Sequence, residues 1–154
     1  MRQIDVLLDQ YSGDHQNPSN QVIHLYCVPA IVWSVTAMLW TIPVPAGLLQ
    51  PGAVAGLAMV LACLYYWKLS RKLALGVFAA FFACAVFNRW VADTFGMQAL
   101  LWLAIGVFAV AWVGQFIGHH IEGKRPSFLT DLVYLLIGPL WTLRKLYIRI
   151  GVGY

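Results

Sequence analysis

Long apolar stretches separated by short polar interruptions organise this chain. Leu25 to Trp67 runs without a charge or a histidine. A helix that crosses a bilayer needs about 20 apolar residues, so this run holds two. Pro43, Pro45, Gly47, Pro51 and Gly52 fall in its middle, where they stop one helix and favour a turn before the next. Helices are therefore predicted at about 18–42 and 51–68. Lys68, Arg71 and Lys72 then interrupt, and a third helix is predicted at about 73–92. Arg89 near its end can snorkel to the headgroups. Asp93 to Gly96 is the expected turn into a fourth helix at about 97–122. The last apolar run, Leu132 to Leu143, is too short to span, contains Gly138-Pro139, and is closed by Arg144, Lys145 and Arg149. It predicts an interfacial or re-entrant amphipathic segment over about 128–149. Tyr65, Tyr66, Trp67, Trp90, Trp141 and Tyr147 stand where aromatic belts are expected. Gly52 and Gly56 form a GxxxG, which predicts tight packing within the bundle. The expected fold is all-α, an integral membrane four-helix bundle forming a single transmembrane domain over 1–154.

Composition narrows the class further. The chain is 61% hydrophobic and only 10% charged, with mean hydropathy +0.74. Soluble domains carry about 25% charged residues, so a soluble enzyme, a disordered chain and a disulfide scaffold are all excluded. The net charge of +4 does not point to nucleic acid, because the basic residues are scattered between apolar runs; a lipid bilayer is the expected partner. With four spans, Arg2, Lys68, Arg71, Lys72, Lys124, Arg125, Arg144, Lys145 and Arg149 share one side, and only Arg89 falls on the other. The positive-inside rule puts both termini in the cytoplasm. Neither a signal peptide nor a lipidation motif is expected, and the lack of long soluble extensions leads to the expectation of a bacterial inner membrane, or of an endoplasmic reticulum if the source is eukaryotic. Cys27, Cys63 and Cys84 form no CxxC and read as free, buried thiols.

The candidate chemistry lies in the histidines. The same topology puts His15, His24, His119 and His120 on the cytoplasmic side, so the two ends of the chain meet at one membrane depth. Asn17-Pro18 has the form of a helix start. Asn20 and His24 then share one helix face, as do Gln115, His119 and Glu122 on the fourth helix. His120 is rotated about 100° from His119, too far to join it on one ion. Three imidazoles suit Fe, Zn, Cu or Ni and leave positions open for substrate and O2 or water. Asn20, Gln115 and Glu122 could orient the ring N–H groups. Spacing alone leaves a second reading open, in which the histidines are interfacial residues bonded to headgroups or backbone. No HExxH, GxSxG, GxGxxG or P-loop pattern occurs.

Two blocks bear a further resemblance. His15-Gln16-Asn17-Pro18-Ser19-Asn20-Gln21-Val22-Ile23-His24 with Val28-Pro29 is one; Gln115-Phe116-Ile117-Gly118-His119, Glu122, Lys124-Arg125-Pro126 and Asp131-Leu132 is the other. Together they resemble the signatures of the 2-hydroxy fatty acid dioxygenase family, small multi-spanning proteins of the fungal endoplasmic reticulum and of bacterial membranes. The resemblance implies an Fe2+-dependent α-oxidation in which a long-chain 2-hydroxy fatty acid and O2 give a fatty acid one carbon shorter and CO2. In fungal members this belongs to sphingolipid breakdown. It implies His15, His24 and His119 as catalytic metal ligands, with Asn20, Gln115 and Glu122 around them. Lys124 or Arg125 would help neutralise the substrate carboxylate, the other reading being that the pair sits among anionic headgroups. A membrane zinc hydrolase acting on a lipid amide or ester, and a non-catalytic lipid-binding protein, are the competing expectations.

Overall fold

The computed structural model describes residues 2–124 and 133–154. Six helices appear and, among the described residues, no strands: α1 (Gln3–Gly13), α2 (Pro18–Trp40), α3 (Ala53–Leu69), α4 (Arg71–Phe95), α5 (Met97–Glu122) and α6 (Val133–Arg149). The fold is all-α, as expected. Three of the helices, α2, α4 and α5, are long and apolar enough to cross a membrane; α3 is apolar but has only 17 residues.

Local chemistry explains most boundaries. Asn17 caps α2, its side chain accepting from the Ser19 amide at 2.9 Å, and Pro18 takes the first helical position, where a missing N–H costs nothing. The link between α2 and α3 turns through Gly47 and Gly52, both at φ +85°. Ser70 alone separates α3 from α4, and its hydroxyl accepts from the Leu73 amide. Gly96, at φ +91°, alone separates α4 from α5. The expected turn at Asp93 is therefore absent. Asp93 stays helical and pairs with Arg89 one turn back at 2.6 Å, leaving Gly96 to reverse the chain.

Two expectations about packing are corrected. Gly56 has nothing within 4 Å, and only Gly52, the N-cap of α3, is closely packed, against the ring of Trp40 at the end of α2. The close contact lies instead between α2 and α5, the most extensively packed pair. There Gly114 receives Cys27 and Gly118 receives Asn20 and Ile23; a Cβ at either glycine would collide. Tyr66 and Trp141 are not belt residues but core, 2% and 1% exposed. Each satisfies its polar atom inside the protein, Tyr66 by donating to the Leu136 carbonyl and Trp141 to the Ser12 hydroxyl.

The N-terminal segment forms an amphipathic helix that the polar character of residues 1–20 had concealed. Ile4, Leu8 and Tyr11, spaced i, i+4, i+7, are buried on one face of α1. They join Tyr66, Leu73, Ala74 and Val77 of the bundle with Ile137, Leu140 and Trp141 of α6 in one core. The helical part of the expected interfacial segment is thus packed on α1, α2 and α4; residues 128–132 of that expectation lie outside the described residues.

Candidate metal centre

His15, in the turn between α1 and α2, His24 on α2 and His119 on α5 converge, and one ring nitrogen from each lies within 4.8 Å of the others. All three are buried, at 1%, 1% and 5% exposure. Nδ1–H of His15 donates to the Tyr11 carbonyl at 2.7 Å, and Nδ1–H of His24 donates to the Asn20 carbonyl at 3.0 Å. A carbonyl can only accept, so both rings carry their proton on Nδ1 and, when neutral, a bare lone pair on Nε2. These two Nε2 atoms face each other at 3.0 Å. Two lone pairs so close and so buried repel unless a proton or a cation lies between them. Burial opposes the proton: it holds the His15 pKa below the ordinary histidine value, keeping the ring neutral. His119 adds a buried Nδ1 with no hydrogen-bond partner. The donor set fits a transition metal that accepts imidazole.

The surroundings fix the rings. Tyr11 stacks on His15 with centroids 4.2 Å apart and planes 13° from parallel, and Trp141 lies 5.5 Å from the same ring. Glu122 accepts from the amides of Gln16 at 2.8 Å and Asn17 at 2.9 Å, and from Asn20 Nδ2 at 2.9 Å. It ties the end of α5 to the N-terminus of α2, where a carboxylate is favoured. The ring N–H groups of His15 and His24 are held by the backbone carbonyls of Tyr11 and Asn20, and the Asn20 and Glu122 side chains bond to each other. Asn20 serves His24 through its main chain. Gln21 braces the turn by donating to the His15 carbonyl at 2.7 Å, and Lys145 of α6 donates to Gln21 Oε1 while sitting over the Trp141 ring.

A cavity of about 60 Å³ adjoins the three histidines. Tyr11, Gln115 and Tyr134 add polar edges to its wall; Val28, Ile31, Val32, Trp112, Leu135 and Pro139 make the rest of it apolar. Lys124 is not in that wall. Its Nζ donates to the Gly13 carbonyl at 2.8 Å and lies 3.7 Å from Asp14, so it secures the α1–α2 turn. Arg125 lies outside the described residues. His120 is exposed and stays out of the cluster. Tyr11 and Gly114 are not among the residues singled out from the sequence, although Tyr11 lies four residues before His15 and Gly114 forms a GxxxG with Gly118, which ends beside His119; Trp141 stands there only as a belt aromatic.

The family profile described as 2-hydroxy-palmitic acid dioxygenase Mpo1-like matches residues 1–150. The chain belongs to the Mpo1-like family. Among its relatives is the 2-hydroxy-palmitic acid dioxygenase MPO1 of Saccharomyces cerevisiae, 28% identical over 143 residues that cover 92% of this chain and 78% of the yeast protein. No solved structure matches. The histidines of this Mpo1-like chain come from both ends of the matched region.

Proposed function

We propose that this protein is an Fe(II)-dependent dioxygenase that shortens long-chain 2-hydroxy fatty acids by one carbon. The balanced reaction converts the hydroxy acid and O2 into the shorter acid, CO2 and water. The C1–C2 bond breaks, and the four electrons lost by those two carbons reduce O2. The observation that carries this reading is the trio of buried imidazoles beside a largely apolar cavity. Its support from outside is the name of the yeast relative.

His15, His24 and His119 would hold the ion. A ferrous ion, when bound, supplies a redox centre and a polar anchor for the hydroxy acid. The chain does the rest. Backbone carbonyls keep the His15 and His24 lone pairs aimed inward. Tyr11 and Trp141 cover His15 and exclude water from that side. Val28 and Trp112 receive the first carbons of the tail. Beyond them Ile31 and Val32 are half-exposed and Leu135 is exposed, so a long tail runs out between α2 and α6 into the bilayer. In the same reading α2 to α5 are four spans, and both termini face the cytoplasm, probing the side where nearly all the basic residues gather.

The test is metal analysis of detergent-purified protein paired with assays in air and under nitrogen. The expected result is one iron per chain and O2-dependent formation of the acid one carbon shorter. Lipid hydrolysis supported by zinc under nitrogen would overturn the reading.

A further inference from the structure

One N–H donor in the cavity wall has no hydrogen-bond partner among the described residues. Gln115 lies one helical turn before His119 on α5 and beside His24, 6% exposed. Its Nε2 is buried with no hydrogen-bond partner. Such a group is costly to bury unless something satisfies it. The Gln115 side chain forms a hydrogen bond with the His24 ring, but the Nδ1–H groups of His15 and His24 are already held by the carbonyls of Tyr11 and Asn20, and Gln115 Nε2 stays unpartnered. No lysine or arginine among the described residues lines the cavity. Lys124 is held by Gly13 and Asp14, and Lys145 by Gln21 and Trp141. An anionic head placed beside the histidines would find no cationic side chain within the described wall. It would find an amide with free N–H groups.

We propose that Gln115 reads the head of the substrate, its Nε2 donating to a carboxylate oxygen of the bound 2-hydroxy acid. This rests on the function proposed above. A neutral amide suits the position, because a cation there would compete with a metal for the same histidine pocket. The carboxylate completes the hydrogen bonds of Gln115, and the apolar wall formed by Val28, Ile31 and Trp112 directs the tail away from it. Gln115 is thereby a substrate-touching residue and not a support for the metal.

The experiment uses full-length, iron-loaded protein in detergent and three variants: Gln115→Leu, Gln115→Glu and Gln115→Asn. Iron per chain is measured first. Binding of 2-hydroxyhexadecanoate is then titrated calorimetrically without oxygen, so that no turnover intervenes. The expected result is iron content within about twofold of wild type and affinity lowered about 10–100-fold in Gln115→Leu, as for a lost hydrogen bond to a charged group. Gln115→Glu, which keeps the shape but repels the carboxylate, should bind at least as poorly, and Gln115→Asn should fall between it and wild type. Iron loss in Gln115→Leu and Gln115→Glu, with normal affinity in the fraction that keeps iron, would overturn the proposal in favour of a metal-supporting role. Normal iron and normal affinity would overturn it outright while leaving the dioxygenase reading intact. If iron-loaded wild type neither binds nor consumes the acid, the functional reading fails and takes this proposal with it.

Discussion

The two ends of the helical stack satisfy their polar groups in opposite ways. Away from the histidines, Ser34, Thr36 and Thr41 each donate to a carbonyl three residues back on their own helix, Ile31, Trp33 and Met38. The neighbouring core is small and apolar, made by Ala37, Val91, Leu100 and Ala104. Bonds of this kind remove the cost of a hydroxyl in an apolar setting, but they leave one helix free to shift against another. At the histidine end such local bonds are joined by others that run between segments far apart in the chain. Glu122 reaches Gln16, Asn17 and Asn20; Lys124 reaches Gly13; Trp141 reaches Ser12; Lys145 reaches Gln21. Three rings from positions 15, 24 and 119 can converge only if the backbone beneath them is held from several sides. The polar investment therefore marks the end where geometry matters.

The harshest break of this contrast is loss of a ring. His15→Ala, His24→Ala and His119→Ala should each lower metal affinity by more than the roughly 10–100-fold typical of outer supporting groups, and abolish turnover. Metal content and O2 consumption check this; full occupancy in any of the three would remove that residue from the site. Next comes the carboxylate that ties the two ends. Glu122→Ala frees the Gln16 and Asn17 amides and the Asn20 amide together, and should lower metal affinity about 10–100-fold while the helices persist. Thr36→Val at the other end breaks only a bond within α2 and should leave metal affinity unchanged. Equal losses in these two variants would show that the interhelical ties do not position the rings.

Much of this division was legible in the residues, and the parts that were not have physical reasons. Apolar runs and their Pro and Gly breaks located α2 to α5 closely, because lipid-facing helices are apolar all round and no face needs to be known. Counting spans then put His15, His24 and His119 at one end. The α1 helix was hidden because its apolar residues are few and interleaved with Asp5, Asp9 and Gln10, and the burial of Ile4, Leu8 and Tyr11 depends on α6, a long-range partner. Tyr66 and Trp141 look like belt aromatics from position alone; only the Leu136 carbonyl and the Ser12 hydroxyl, distant in sequence, explain why they turn inward. Glu122 stands out for its face on α5, but besides the Asn20 side chain its partners are main-chain amides, which carry no sequence signature.

Smaller changes sharpen the contrast at the glycines. Gly118→Ala would drive a Cβ into Asn20, which is itself tied to Glu122. Overpacking of this kind costs about 1–3 kcal/mol, partly offset by the roughly 1 kcal/mol by which alanine is the better helix former. The net effect should be a lower thermal midpoint and weaker metal binding. Gly56→Ala on α3 meets nothing within 4 Å and keeps only the helix-propensity gain, so its midpoint should rise or stay the same. A fall at Gly56 as large as at Gly118 would mean that the α2–α5 contact is not special.

The smallest effect is expected next door to a ligand candidate. His120 follows His119 directly but is exposed and outside the cluster, because consecutive residues on a helix diverge by about 100°. His120→Ala should keep activity and metal content within about twofold of wild type, since an exposed side chain with no place in the cavity wall contributes little to either. Side-by-side metal titration of His119→Ala and His120→Ala is the sharpest form of this comparison. The two substitutions remove the same ring from adjacent positions on one helix, so any difference between them reports direction alone. Loss of metal in both would require α5 to unwind at its end, and the ties that Glu122 and Lys124 make there would then have to be redrawn.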